Sequence, residues 1–184
     1  MSRARHPLPF SRQFGKQVGR YFRDLHGSNG VRFVDGNPAA LEGVYYVTAL
    51  LMENGQRLKA DVVLLAIGIQ PATGFIHDLS LREDCSLLAD SPLRVTENVR
   101  IAGDIASYLT LQGPLRIEHY RGAHQQGRIA DFNMLDKRMI YDRVPFFWTT
   151  HFGTRYEYLG HAEEWDMYRL MSLLEEKKFI ALYS

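Results

Sequence analysis

The sequence predicts an α/β fold, and two apolar runs that end in glycine are its main evidence. The first run covers residues 61–67 and continues into AIGIQP at residues 66–71; the second ends in IAGD at residues 101–104. Ligands of open α/β sheets bind beyond the carboxyl ends of parallel strands, and a glycine there lets a ligand approach the backbone. A partial alternation of helical and strand patterns along the 184 residues is the third observation.

The N-terminal third predicts one helix followed by β-structure. Residues 13–25 carry apolar side chains at helical spacing, and the sequence GSNG at residues 27–30 ends that helix. The Asn-Gly pair within residues 53–56 tolerates the positive φ of a tight hairpin turn. Residues 61–67 are continuously apolar after Asp61, which is typical of a strand buried on both faces. Two further strands are predicted at residues 31–34 and 44–52.

The remaining two thirds predict short strands around one long helix. Residues 117–135 form the helix, and its small side chains allow close packing against a neighbour. Ahead of it, short strands are predicted at residues 86–89, 93–96 and 99–102. Beyond residue 141 the chain becomes rich in aromatic residues, and it predicts strands at residues 146–152, 155–159, 167–173 and 179–183, with a polar turn around Lys177.

Composition argues against several kinds of site and partner. The single cysteine, Cys85, excludes an internal disulfide and a multi-cysteine metal centre, and the histidines lack ligand spacing, so no metal site is predicted. A formal net charge of +1 gives no reason to propose a nucleic-acid surface. No apolar run approaches the roughly 20 residues of a membrane span. The basic N-terminus has no apolar signal-peptide core, so the expected location is cytoplasmic or mitochondrial.

Four segments carry a family resemblance through their order and spacing. They are ADVVLLAIGIQPATGF, IAGDIAS, RIEHYRGAHQQGRIADFNML and PFFWTTHFG. With them, the chain resembles the C-terminal half of FAD-dependent pyridine nucleotide-disulfide oxidoreductases. The branch it resembles contains the apoptosis-inducing-factor-like proteins and the ferredoxin reductases. The resemblance runs from about residue 14 to Ser184, which is nearly the whole chain.

The resemblance implies a more detailed fold and an activity. The fold would consist of partial FAD- and NAD(P)-binding Rossmann-like domains, followed by a truncated α+β C-terminal domain of the reductase dimerisation type. Residues 1–76 would belong to the NAD(P)H-binding domain, residues 77–140 to the FAD-binding domain and residues 141–184 to the C-terminal domain. The implied activity is an oxidoreductase that passes electrons from NAD(P)H through FAD to an acceptor such as a redox protein. A homo-oligomer is compatible with it.

The resemblance also implies cofactor-binding residues at both strand ends. Gly68 and Pro71 match the family's turn that lines the NADH site. Gly103 and Asp104 match the pair that holds the ribityl and phosphate part of FAD. Taken alone, each signal has a second interpretation, because glycine and aspartate are also the commonest turn residues.

Four more residues are implied around the flavin ring. Glu118 and His119 match the catalytic pair that faces the nicotinamide, at a helix start whose backbone amides would point at the flavin. Phe147 and Trp148 match an aromatic patch that closes over the isoalloxazine. Without the family, Glu118 and His119 are better explained as capping or surface groups, and Trp148 as a core residue.

One departure from the family keeps two hypotheses open. The family's two Gly-rich strand-turn-helix loops, each of which cradles a pyrophosphate, have no counterpart here, because the glycines of residues 15–19 lie inside a helical pattern. The chain is therefore expected to begin partway through the NAD(P)H-binding domain and to stop early in the C-terminal one. It is either part of an FAD-dependent reductase or a truncated, non-catalytic binding or regulatory product. Whether the chain alone is an enzyme stays open.

Overall fold

A computed structural model describes residues 8–162, 164–171 and 178–184. Within those residues the chain forms two α-helices and twelve short β-strands. Each half of the chain contains one helix and several strands, and the mixed α/β class that the sequence predicts is confirmed.

The chain divides into two compact units. Met1–Ile67 and Ala162–Ser184 make the first unit, and Gly68–His161 make the second. The assignment of residues 1–76, 77–140 and 141–184 to three functional domains stays a prediction. Among the described residues, neither helix combines the length and the hydropathy needed to cross a bilayer.

Helix α1 (Ser11–Ser28) of the first unit confirms the predicted helix and extends it at both ends. Its buried face includes Val18, Phe22 and Leu25, which recur at helical spacing. The helix is interrupted at Gly15, where φ is 78° and ψ is 170°. The Trp165 ring would lie 3.1 Å from a Cβ at this position, so both the backbone conformation and the close approach require glycine.

A three-stranded antiparallel sheet follows in the first unit. It contains β1 (Pro38–Glu42), β2 (Ala49–Met52) and β3 (Arg57–Lys59), in that order. The turn at residues 53–56 joins β2 to β3 and is confirmed. The strand predicted from residue 44 begins only at Ala49.

The strand predicted at residues 31–34 is wrong. The Val31 N–H donates to the carbonyl of His26 and so completes the turn that ends α1. Phe33 then turns back onto the same helix, where its ring contacts His26 and lies under the Arg23 guanidinium. These local contacts replace the ladder that a strand would need.

The buried strand predicted at residues 61–67 is also wrong. Its residues have no strand structure, and the side chains of Val62 and Leu64 are 84% and 88% exposed. A strand that is apolar on both faces needs neighbours at its edges and layers above and below. In the part of the chain that the structure describes, no strand pairs with this segment.

The second unit contains a sheet whose central strand the sequence did not predict. Its order is β4 (Leu87–Ala89), β7 (Ala106–Thr110) and β8 (Gly113–Leu115), with β4 and β7 parallel. The hairpin of β5 (Arg94–Thr96) and β6 (Val99–Arg100) lies between β4 and β7 in the chain. The predicted strands at residues 86–89 and 93–96 are therefore confirmed.

The strand predicted at residues 99–102 is shorter and differently paired than expected. It is the two-residue strand β6, which pairs antiparallel with β5. The IAGD segment therefore leaves a hairpin and enters β7, instead of ending a parallel strand. β7 was missed because it begins two residues after Asp104, inside the segment that was interpreted as a ligand-binding turn.

Helix α2 (Tyr120–Met134) packs beside this sheet and completes the core. It begins three residues later than predicted, because His119 has extended backbone angles and serves as its N-cap. Ile129 and Ala130 of α2 share one buried cluster with Leu93, Tyr108 and Tyr141. A second cluster joins the two parallel strands; it consists of Leu87, Ala89, Ile101 and Ala106.

The aromatic strands predicted near the C-terminus are confirmed as two hairpins. The second unit contains β9 (Phe146–His151) paired with β10 (Thr154–Leu159). The first unit contains β11 (Tyr168–Met171) paired with β12 (Ile180–Tyr183). The last two residues of the predicted strand at 167–173 and the predicted turn at Lys177 lie outside the described residues.

Candidate functional site

The second unit contains an open cleft that brings four predicted site residues together. Its volume is about 650 Å³, within the range of about 300–1,000 Å³ that is usual for small-molecule sites. The predicted residues on its wall are Gly68, Asp104, Glu118 and His119. Ile69, Tyr120 and Ala123 complete the lining.

The Gly103–Asp104 turn presents a carboxylate to the cleft. Gly103 has φ of 82°, a conformation that favours glycine, and its N–H donates to the buried Oε1 of Gln126 at 2.7 Å. Asp104 is exposed, and within the described chain no hydrogen bond reaches its carboxylate. Asp104 can therefore accept hydrogen bonds from a ligand, whereas the Gly103 N–H is already used inside the protein.

A second carboxylate, that of Glu118, is held by an arginine. Arg116 donates from Nη1 to Glu118 Oε1 and, on its other side, from Nε to Asp84 Oδ2 at 2.8 Å. The same Nη1 lies 3.3 Å from the main-chain carbonyl oxygen of Asp104. The side chain of Arg116 is only 19% exposed, so these contacts form in a partly desolvated position.

The charges of this network stabilise one another. Burial works against the charge of Arg116, but hydrogen bonds to Glu118 and Asp84 outweigh it and raise the pKa of the guanidinium. Burial likewise opposes the charge of Asp84. Hydrogen bonds from Ser86 and then Arg116 outweigh that effect and lower the pKa of Asp84 to about 2. Both groups are therefore charged at neutral pH.

The N-terminus of α2 opens onto the cleft through Tyr120 and Ala123. A helix start carries unpaired N–H donors and a partial positive charge. His119 caps one donor, because its Nδ1 accepts from the Arg121 N–H at 3.3 Å. This bond makes Nε2 the protonated nitrogen when the ring is neutral. The cleft thus combines a helix dipole with the Asp104 carboxylate.

The predicted aromatic pair lies beside His119. The ring of His119 is 4.8 Å from that of Phe147 and 5.8 Å from that of Trp148, in edge-to-face arrangements. Both aromatic residues belong to β9, and Tyr120 also contacts Trp148. Phe147 lines a smaller cavity next to His119 and is not part of the cleft lining. The structure therefore connects this pair to the cleft through the His119 ring.

The turn at residues 68–71 contributes glycine but not proline to the cleft. Gly68 is exposed at the cleft wall with φ of 118°, whereas Pro71 is buried and does not line the cleft. Two hydrogen bonds to Cys85 fix this segment. Gln70 Nε2 donates to Cys85 Sγ and Thr73 Oγ1 donates to the Cys85 carbonyl, both at 2.9 Å.

Two residues that organise the site were missed in the sequence. Gln126 lies on the same buried face of α2 as Ile129, Ala130 and Asn133. Helical periodicity in the sequence could therefore have identified a buried amide at this position. Its role toward Gly103 depends on a contact 23 residues away in sequence, which no local pattern reveals. Arg116 stands two residues before Glu118 and gave no signal of its own.

The core behind the cleft contains two tyrosines without an acid–base role near neutral pH. Tyr108 and Tyr141 lie edge to face at 4.8 Å. Burial raises the pKa of both phenols, so both stay protonated. Over the described ranges, no three His, Cys, Asp or Glu side chains converge as a metal ion would require.

Comparisons with known proteins agree on one family. The sequence profile of the pyridine nucleotide-disulphide oxidoreductases matches residues 2–127. Mouse (Mus musculus) apoptosis-inducing factor 3 is 31% identical over 188 residues; the match covers 96% of this chain and 30% of that protein. The ferredoxin–NAD(+) reductase component of a biphenyl dioxygenase system from Paraburkholderia xenovorans is 32% identical, over 83% of this chain and 38% of that protein.

Solved structures show the same fold. A ferredoxin reductase from Rhodopseudomonas palustris superposes with a TM-score of 0.85 at 21% identity, covering 97% of this chain and 45% of that one. The covalent putidaredoxin reductase–putidaredoxin complex gives a TM-score of 0.81 at 24% identity, over 90% of this chain and 42% of the other. The chain thus spans only about a third of the curated relatives and under half of these reductases.

Proposed function

The chain belongs to the pyridine nucleotide-disulphide oxidoreductase family, and from this premise we propose that it supplies the cofactor-facing side of an FAD-dependent NAD(P)H oxidoreductase. The main supporting observation is that the available carboxylate of Asp104 and the N-terminus of α2 share one cleft. FAD, when bound, would supply the hydride-accepting chemistry. The protein groups would bind and orient the cofactors and exclude water.

The donors and acceptors of the cleft fit the flavin end of FAD. A ribityl chain carries hydroxyls, and an exposed carboxylate is a strong acceptor for them. The polar edge of a flavin ring accepts hydrogen bonds and becomes more negative on reduction, which the start of α2 would stabilise. We therefore assign Asp104 to the ribityl and phosphate part, with Gly103 shaping the turn that presents it.

The other predicted residues take positions around the ring. Glu118 and His119 would face the nicotinamide and orient it, and the aromatic pair Phe147 and Trp148 would support the His119 ring beside the isoalloxazine. We assign Gly68 to the NAD(P)H side, where the missing Cβ leaves room for a ligand. Pro71 would stiffen the turn from its buried position, without touching the ligand.

For the electron acceptor and the cellular location, the proposal follows the family. One structural relative was solved in a covalent complex with putidaredoxin, and by analogy we propose a redox protein as the acceptor. A homo-oligomer and a cytoplasmic or mitochondrial location stay predictions. The alternative of a non-catalytic product without the cofactor loops is decided by the experiment below.

Nuclear magnetic resonance titrations of the 184-residue chain test the proposal. We expect FMN and FAD to perturb the same amides, around residues 103–104 and 118–123, and AMP to leave them unchanged. FMN contains the ring and the ribityl phosphate, whereas AMP contains neither. Binding should be weak, because the chain has no Gly-rich pyrophosphate loop. NADH should perturb residues 68–71.

A pair of matched variants makes this test specific. Asp104→Ala should weaken FMN binding by roughly tenfold or more, because it removes a hydrogen-bond acceptor and a hydrogen bond to a charged group contributes about 1.5–3 kcal/mol. Asp131→Ala removes an exposed carboxylate of helix α2 that does not line the cleft, and it should leave FMN affinity unchanged. If neither flavin perturbs the cleft at millimolar concentration, the non-catalytic alternative replaces the proposal.

A further inference from the structure

The cleft wall depends on a residue that the proposed site does not include. On the basis of the proposed function, we propose that Arg116 is a positioning residue that joins three segments of the chain into one cofactor-binding surface. The segments are the loop at Asp84, the Gly103–Asp104 turn and the residues that lead into α2. Arg116 would act through these groups and not by touching the cofactor.

One guanidinium reaches all three segments. Its Nε–H donates to Asp84 Oδ2 at 2.8 Å, and its Nη1 donates both to Glu118 Oε1 and to the Asp104 carbonyl oxygen, the latter at 3.3 Å. Asp84 lies 32 residues before Arg116 in the chain, and Asp104 lies 12 residues before it. The contacts therefore join parts of the chain that are separated by several strands.

The loop at Asp84 carries the connection further. Asp84 Oδ1 accepts hydrogen bonds from the N–H and the Oγ of Ser86, which fixes the orientation of the carboxylate. The next residue, Cys85, accepts the two bonds that hold Gln70 and Thr73. Arg116 is thus linked indirectly to the turn that presents Gly68.

This arrangement distinguishes the two carboxylates of the cleft. Arg116 pairs with the side chain of Glu118 but meets Asp104 only at its main-chain carbonyl. Glu118 is therefore compensated and fixed in place, while the Asp104 carboxylate keeps its capacity for ligand hydroxyls. The geometry gives each carboxylate a separate task.

Lysine cannot reproduce this geometry. The guanidinium carries five N–H donors in a rigid planar fork, whereas an ammonium is a single point charge on a flexible stem. A lysine at position 116 would keep one carboxylate partner at a time and would leave the Asp104 carbonyl. Arg116→Lys therefore separates the effect of charge from that of the three-way connection.

Hydrogen–deuterium exchange of the 184-residue chain, combined with FMN titration, tests the proposal. In Arg116→Met we expect roughly tenfold faster exchange in all three segments together, at residues 84–86, 103–106 and 118–123. FMN affinity should fall by a similar factor. Arg116→Lys should restore protection beside one carboxylate but not at residues 103–106. Glu118→Gln should affect residues 118–123 alone.

Arg94→Met is the matched control. Arg94 also pairs through its Nε with an aspartate, Asp90, at 3.0 Å, away from the cleft lining. It should leave exchange in the three segments and FMN affinity unchanged.

The outcomes separate this inference from the proposed function. Faster exchange in only one segment of Arg116→Met, or full rescue by lysine, would overturn the positioning role. If Arg116→Met fails to fold, the lysine and Glu118→Gln variants still decide, because each predicts a different subset of segments. Absence of FMN binding in the unsubstituted chain would contradict the proposed function but leave the exchange result to judge Arg116.

Discussion

Two segments share a sequence pattern, an apolar run that ends in glycine, but one is packed and the other is exposed to solvent. Residues 99–104 lie in a packed region, where Ile101 is 6% exposed and Gly103 is bonded to Gln126. Residues 61–68 form no strand, and most of their apolar side chains face solvent. The difference lies in the available partners. β4, β7 and α2 surround the first segment, whereas no strand in the described chain pairs with the second.

An apolar run becomes core only where the rest of the chain supplies its neighbours. The carboxylate side of the cleft therefore finds its neighbouring strands and helix within residues 84–134. A nucleotide site that depends on a parallel strand at the second segment needs additional strands.

The largest expected effect is a difference in stability between two leucine substitutions, one beside the first segment and one within the second. Leu87 of β4 is fully buried, so Leu87→Ala should lower the free energy of unfolding by about 2–5 kcal/mol through lost burial and a new cavity. Leu64→Ala should change it by less than about 0.5 kcal/mol, because the side chain is already in water. Urea unfolding followed by tryptophan fluorescence measures both, because Trp165 belongs to the unit of Leu64 and Trp148 to the unit of Leu87. Equal losses would mean that residues 61–67 are packed.

The two glycines give the second test. Gly103→Ala forces a side chain into the left-handed region and disturbs the bond to Gln126, which should cost about 1–2 kcal/mol of stability. Gly68 also has positive φ, but it is exposed and outside any strand, and a Cβ there would contact nothing within 4 Å, so Gly68→Ala should cost clearly less. The same urea experiment compares them. A larger loss at Gly68 would show that its turn is as rigid as that of Gly103.

How far the sequence predicted the fold depends on where each element's partners lie. The helix at residues 13–25, the hairpin turn at residues 53–56 and the aromatic hairpins followed from local spacing, because their partners are sequence neighbours. Residues 61–67 and 31–34 were wrong for the complementary reason. Periodicity identifies an apolar segment, but it cannot show whether strands exist to pair with it.

The site shows the same division between local and distant information. Glu118 and His119 were identified through the family resemblance of the short segment around them, and Asp104 through that resemblance and its position after a glycine at a strand end. Arg116 and Gln126 were missed because their roles depend on contacts with residues 12 to 32 positions away in the chain. Pro71 was assigned to the cofactor site by resemblance, but its side chain is buried away from the cleft.

The smallest expected effect is a pH dependence within the packed region. The pKa of Asp84 is lowered to about 2, below its ordinary value of 3.8, so its ionised form stabilises the folded chain above about pH 4. This contribution should disappear as the pH falls toward 2. Because the side chain is 42% exposed, it should amount to about 0.5–1 kcal/mol.

Asp84→Asn supplies the comparison for that pH dependence. The stability difference between the unsubstituted chain and this variant should be constant between pH 5 and 7, as measured by urea unfolding, and should shrink below pH 4. A difference that persists unchanged at pH 2 would rule out the ionised carboxylate as its origin.

The most direct test of the account is hydrogen–deuterium exchange along the unsubstituted 184-residue chain, with and without FMN. We predict that residues 101–108 and 122–133 are protected and that residues 61–67 exchange at nearly the rate of unstructured peptide. FMN should further slow exchange at residues 103–104 and 118–123 and leave residues 61–67 unchanged. Equal protection of residues 61–67 and 101–108, or an FMN effect confined to residues 61–67, would contradict the claim that the carboxylate side of the cleft forms the flavin site.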